Sequence, residues 1–130
     1  MIVVEDPAKF VQDWQRPETP KFNPATVVKR GAHLGAVVIF AGCKRNPAGI
    51  CNAEVDYALY KPDGSLYEEQ KGQPLWKEAA PDSKNFQLGR AILSFQTGPT
   101  DQVGEYRVTA KCTDLNADVS LDLETKFELQ

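Results

Sequence analysis

CNAEVDYALY, Cys51 to Tyr60, is the stretch that decides the fold. Cys51, Ala53, Val55, Tyr57 and Leu59 fall on one parity, and Asn52, Glu54, Asp56 and Ala58 on the other. Successive side chains of a strand point to opposite faces, so this segment buries one face and wets the other. Two later segments repeat the pattern. In residues 105–112, Tyr106, Val108, Ala110 and Cys112 oppose Glu105, Arg107, Thr109 and Lys111. In residues 119–129, Val119, Leu121, Leu123, Phe127 and Leu129 oppose Ser120, Asp122, Glu124, Lys126 and Glu128, with Thr125 the one polar intruder.

The stretches around these are punctuated by turn chemistry. Residues 36–43 are apolar on both parities, which suggests a central strand, and residues 91–95 are a shorter candidate. Lys61-Pro62-Asp63-Gly64-Ser65 reads as a hairpin turn, with proline presetting φ and Gly64 taking positive φ. Asp114, Asn116 and Asp118 supply turn formers before the last strand. Residues 72–89 read as a long, Pro-containing connection with weak strand signals. Residues 1–24 carry Pro7, Pro17, Pro20 and Pro24 and read as an extended arm. That arm has room for one short helical turn, where Phe10, Val11 and Trp14 stand at helical spacing. No internal repeat is present and nothing suggests βαβ units. The expectation is an all-β domain over residues 25–130, an antiparallel β-sandwich of about seven strands, preceded by the Pro-rich arm.

With 130 residues the chain is long enough for one domain that buries roughly two-thirds of its unfolded surface. Hydrophobic residues at 42% and charged residues at 25% are ordinary for a globular protein. A net charge of -3 argues against nucleic acid, which rewards clustered Lys and Arg. Lys29-Arg30 and Lys44-Arg45 come in twos among acids and form a solvated surface. No apolar run approaches the roughly 18 residues that a membrane helix needs. Ile2, Val3 and Val4 run straight into Glu5 and Asp6, so no export signal is legible from Met1 onward.

Cys43 and Cys51 flank a loop containing Pro47 and Gly49, and each sits on the apolar face at one end of adjacent strands. Opposed residues of an antiparallel pair have Cβ atoms about 4.5–5.5 Å apart, which a hairpin mouth can adjust to a disulfide. A structural disulfide is expected here. It implies an oxidising compartment, hence a periplasmic or otherwise extracytoplasmic protein with its export signal upstream of Met1. Cys112 reads as a free, buried hydrophobic residue. Pairing with Cys43 or Cys51, or an intermolecular bond, are the alternatives. A metal site on the three thiols would lack the usual CxxC spacing and a neighbouring His.

Asp101-Gln-Val-Gly104-Glu-Tyr106-Arg-Val108 resembles the tyrosine corner of immunoglobulin-like domains, where a Tyr near the start of a strand bonds back to upstream backbone. Antibody-type domains carry a Cys two residues after that Tyr and a Trp on the third strand; Val108 and Tyr57 stand there instead. The segment thus resembles a bacterial immunoglobulin-like or macroglobulin-like module. The longer series Phe40-Ala-Gly42-Cys43, Gly49-Ile-Cys51, Pro62-Asp-Gly64-Ser65, Trp76, Gly104-Glu-Tyr106 and Phe127 is similar to small exported bacterial proteins of unassigned function. The resemblance implies an immunoglobulin-like sandwich with Asp101, Gly104 and Tyr106 at its corner, and brings no catalytic residues. Immunoglobulin strand order would place the Cys43–Cys51 loop and Cys112 at one pole, and His33 at the other.

His33, the only histidine, is then out of reach of any thiol, and Cys–His catalysis needs hydrogen-bond distance. No Gly-x-Ser-x-Gly turn exposes a serine. Glu5, Asp6, Glu68, Glu69 and Asp101 read as solvated faces and turn caps. Asp114, Asn116 and Asp118 look like the start of a calcium loop, but the following Gly is absent and Thr125 stands where the distal Glu belongs. Tyr60 and Tyr67 flank the hairpin turn and Trp76 follows; aromatics on a sheet rim stack on sugars or anchor a protein partner, and they equally close the edge of a sandwich. The sequence points to a non-catalytic binding or assembly module that presents a sheet edge or an aromatic rim to a protein partner. A carbohydrate- or small-ligand-binding sandwich is the alternative, and a thiol or metal-handling protein using Cys43, Cys51 and Cys112 is a third reading. No cofactor, metal, nucleic-acid partner or membrane span is expected.

Overall fold

The computed structural model describes residues 1–15, 24–81 and 86–130. In chain order its elements are β1 (Ile2–Glu5), α1 (Pro7–Trp14), β2 (Val27–Val28), β3 (His33–Val37), β4 (Ile39–Phe40), β5 (Ala53–Tyr60), β6 (Leu66–Trp76), β7 (Gln87–Leu88), β8 (Leu93–Gln96), β9 (Gly104–Asp114) and β10 (Val119–Leu129). They form a three-stranded sheet β1-β3-β8, a five-stranded sheet β2-β10-β9-β5-β6 and a two-stranded pair β4-β7. Every ladder is antiparallel except β2 beside the end of β10. Among the described residues the protein is all-β apart from one short helix. Its ten strands among the described residues exceed the seven expected, because short bridging strands flank the main ones.

The large sheet follows the period-two sequence. β5 alternates buried and half-buried positions without a break. β9 and β10 pair without a slip from Val119↔Asp114 to Leu129↔Gly104. The turn between β5 and β6 closes through Lys61 N–H to the Ser65 carbonyl at 2.8 Å, with Gly64 at φ 89° and Asp63 accepting from Ser65 N–H. Its Gly is needed, since that φ strains any L side chain.

One core lies between the large sheet and the three-stranded sheet. Tyr57, Leu59, Tyr106, Val108 and Phe127 meet Leu34, Ala36, Leu93 and Phe95 in a single buried cluster. Phe95 stacks on Phe127 with ring centroids 5.7 Å apart, and the Tyr57 hydroxyl donates to the Ala91 carbonyl at 2.8 Å. That bond gives the buried phenol the partner it requires.

The small sheet is covered on its other face by α1. Asp6 caps the helix by accepting from Lys9 N–H, and Pro7 opens it. Phe10, Val11 and Trp14 pack with Val4, Val37 and Leu88. Gly35 permits this approach: a Cβ there would come within 2.7 Å of the Pro7 ring. So residues 36–43 are apolar on both parities because one side faces the core and the other faces the helix. They are not one strand, as expected, but β3, a buried Val38 and β4, which turns away to pair with β7.

Two further expectations change. Within residues 1–24, read as an extended arm with a short helical turn, the turn is present as the helix Pro7–Trp14, but Ile2–Glu5 is a strand bound along β3; residues 16–23 lie outside the described residues. Val3 and Val4 bury their side chains on opposite sides of the small sheet, which ties the segment into the domain. Residues 72–89, read as a connection, begin inside β6 and contain β7. Pro74 and three register shifts along β5–β6 break the alternation that would have marked this strand.

Candidate functional site at the free edge of the large sheet

Cys43 and Cys51 form a disulfide, with Cα atoms 6.0 Å apart. The turn joining β9 to β10 holds their loop. Asp114 Oδ2 accepts from Lys44 N–H at 2.9 Å, and Asn116 Nδ2 donates to the carbonyls of Lys44 and Ile50. Asp114 Oδ1 also accepts from Ala117 N–H, and Asp118 takes the turn's positive φ of 53°. These side chains therefore lace the turn to the disulfide loop. Among the described residues no group of His, Cys, Asp and Glu side chains is arranged to hold a metal ion.

Cys112 is free and half-buried on the same end of the molecule. Burial pushes its thiol above the ordinary value, which favours the neutral form. It forms the floor of an apolar groove of about 400 Å³ whose walls include Phe40, Cys43, Val119, Leu121 and Leu123. A larger cleft, about 590 Å³, lies between α1 and β2 and is more polar.

The groove exists because the small sheet is shorter than the large one. Val119, Leu121 and Leu123 share the inward face of β10 with Phe127 and Leu129. Phe127 and Leu129 are covered, whereas Val119 and Leu121 remain 59% and 61% exposed. Beside them the sheet ends. β2 pairs only with Glu128 and Leu129, and among the described residues no strand pairs with that edge over residues 119–127. Glu128 N–H donates to the Thr26 carbonyl, so even-numbered residues of β10 aim their backbone groups toward this edge. With no bulge in the β9–β10 ladder, the N–H and C=O groups of Ser120, Asp122, Glu124 and Lys126 point the same way, and among the described residues no backbone pairs with them.

The other residues singled out in the sequence serve structure. The Tyr106 hydroxyl donates to the Gln102 carbonyl at 2.7 Å, and Asp101 Oδ2 accepts from both Gly98 N–H and the Tyr67 hydroxyl. Gly104 takes φ 132° where the chain enters β9, packed on Pro62. Tyr60, Tyr67 and Trp76 do not form one rim. Tyr60 lies on the outward face of β5 under Arg107, whose Cζ is 4.4 Å from the ring centroid. Tyr67 packs edge-on against Tyr106 on the inward side. Trp76, at the far end of β6, is only 6% exposed and donates its indole N–H to the Ala79 carbonyl. Phe40 meets its edge and the Arg90 guanidinium covers its ring at 4.5 Å. Burial and these partners explain why Trp76 is not a surface contact, as the sequence suggested. His33 is exposed at the end of β3 paired with Gln96.

No family model matches the chain, and no curated protein matches it in sequence. Among solved structures, it is similar to a family 123 glycoside hydrolase from Clostridium perfringens at a TM-score of 0.46 and 11% identity, covering 85% of this chain and 24% of that one. The chain thus spans about a quarter of that protein, and the likeness carries no argument about activity. Among the described residues no helix is long and apolar enough to cross a membrane.

Proposed function

We propose that the protein is a non-catalytic binding or assembly module that takes an extended segment of a protein partner along the free edge of β10. The single observation that carries this reading is that, among the described residues, no strand pairs with the outer edge of β10 from Ser120 to Lys126, beside the exposed Val119 and Leu121. Strand addition draws affinity from such main-chain groups and specificity from pockets for alternate side chains. The groove over Cys112 is that pocket. The disulfide supports function in an oxidising, extracytoplasmic compartment. The Tyr106 bond to upstream backbone supports an immunoglobulin-like reading of the sandwich.

The test is a pair of proline substitutions scored against a partner captured in the source cells. Asp122→Pro removes one edge N–H that the sheet itself does not use, so the fold tolerates it while strand addition fails. Glu69→Pro, on the opposite edge of the large sheet and opposite Ala58, whose backbone groups face β9, leaves capture intact. Equal capture by both variants would overturn the edge reading.

A further inference from the structure

The walls of the groove beside Cys112 are built unequally. One belongs to the large sheet, through Ala53, Cys112, Leu121 and Leu123. The other is the chain from Val38 to Cys43, anchored in the core at Val38 and paired with β7 at Ile39 and Phe40. Residues 41–45 then belong to no strand, and Gly42 takes φ 75°, a bend that favours glycine. Among the described residues, what ties this stretch to the large sheet is the Cys43–Cys51 bond. Asp114 Oδ2 on Lys44 N–H and Asn116 Nδ2 on the Lys44 carbonyl support it. The other half of the loop is held by backbone: Cys51 N–H donates to the Glu78 carbonyl, Ala80 N–H donates to the Gly49 carbonyl, and Ile50 bridges Ala79.

Without the bond, residues 49–51 keep their backbone partners while residues 41–45 are released, and the groove wall goes with them. The core does not depend on that wall. Leu34, Tyr57, Leu93, Tyr106 and Phe127 lie on strands whose ladders leave out residues 41–51. Closing so short a loop also stabilises by less than a domain ordinarily has to lose. We propose that this disulfide switches the groove: the reduced chain folds its core but leaves the wall loose, and forming the bond closes the wall beside Cys112. In that step the two thiols give up two protons and two electrons to a disulfide oxidant, which leaves as a dithiol. The groove is thus completed only where such an oxidant is present, which agrees with a protein that works in an oxidising compartment. The switch rests on the edge reading above only for what the groove receives; its own test needs no partner.

Cys112 reports the wall, because it is the free thiol both of the oxidised protein and of the chain carrying Cys43→Ser with Cys51→Ser. Its rate of labelling by a maleimide is compared in the two at one pH, and hydrogen exchange at the amides of Ala58, Val108 and Phe127 follows the central ladders. Losing the bond should speed Cys112 labelling by about fivefold or more while those amides stay slow. The wild-type chain reduced with dithiothreitol, its labelled sites mapped by mass spectrometry, should show the same fast rate at Cys112. Reoxidation with glutathione disulfide before labelling should restore the slow one. Equal labelling with and without the bond would overturn the switch and leave the edge reading standing. Faster exchange at the central amides, or failure of the Ser variant to fold, would also overturn it, since the bond would then hold the whole domain rather than the wall.

Discussion

The large sheet has two outer edges, and they are built in opposite ways. β6 is irregular: its register against β5 shifts three times, Pro74 removes a donor, and Gly72 at φ 64° lets its N–H turn to Asp56 Oδ1. Glu68, Glu69 and Lys71 add charge, and its last turn is capped by Arg90 N–H on the Leu75 carbonyl. These are the features by which sheets discourage edge-to-edge pairing. β10 over residues 119–126 also carries charge, at Asp122, Glu124 and Lys126, but it has no proline, no bulge and an exposed apolar face. One edge is closed by its own chemistry and the other is left ready to pair.

The largest test of that contrast is energetic. Trp76 anchors the closed side, so Trp76→Ala should cost about 3–5 kcal/mol of unfolding free energy in urea. Leu121→Ala on the open side should stay within about 0.5 kcal/mol, because its side chain covers little. Similar costs at both positions would erase the distinction. Next in size is the disulfide, whose loop spans a sequence separation of 8. Replacing Cys43 and Cys51 together by Ser should cost about 2–3 kcal/mol and loosen the groove wall with it. An unchanged denaturation midpoint would remove the staple from the account.

A smaller effect sharpens the comparison from the closed side. Burial, and then the hydrogen bond to Asp101, push the phenol of Tyr67 on β6 up from 10.0 to about 12. The fold therefore favours its neutral form. The stability this contributes is complete below about pH 10, the ordinary phenol range, and is lost as pH climbs toward the folded value. Burial raises Tyr57 in the same direction. Tyr67→Phe should flatten part of the alkaline fall in stability; an identical pH profile would show that Tyr67 takes no part.

Sequence periodicity places β5, β9 and β10 because each alternates apolar with polar residues, interrupted only at Thr125 of β10. It missed β6, where bulges and Pro74 scramble the parity, and it merged β3 with β4, because a helix and a core make both faces apolar. The cysteine pair was legible from a short reversing loop. The free edge was not. Alternation says which side of a strand is apolar, so Val119 and Leu121 read as core alongside Phe127 and Leu129. Whether an opposing sheet reaches far enough to cover them depends on strand lengths and order elsewhere in the chain, which periodicity does not encode. Trp76 was misread for the converse reason: an aromatic in a segment taken for a loop looked like a surface anchor, and the strand that buries it was hidden.

Residue-resolved amide hydrogen exchange on the free protein tests the open edge most directly. The account predicts fast exchange at Ser120, Asp122, Glu124 and Lys126 and slow exchange at Leu121, Leu123 and Thr125, whose N–H groups face β9. Uniform protection of all seven amides in a monomer would contradict it, because the edge would then already be paired.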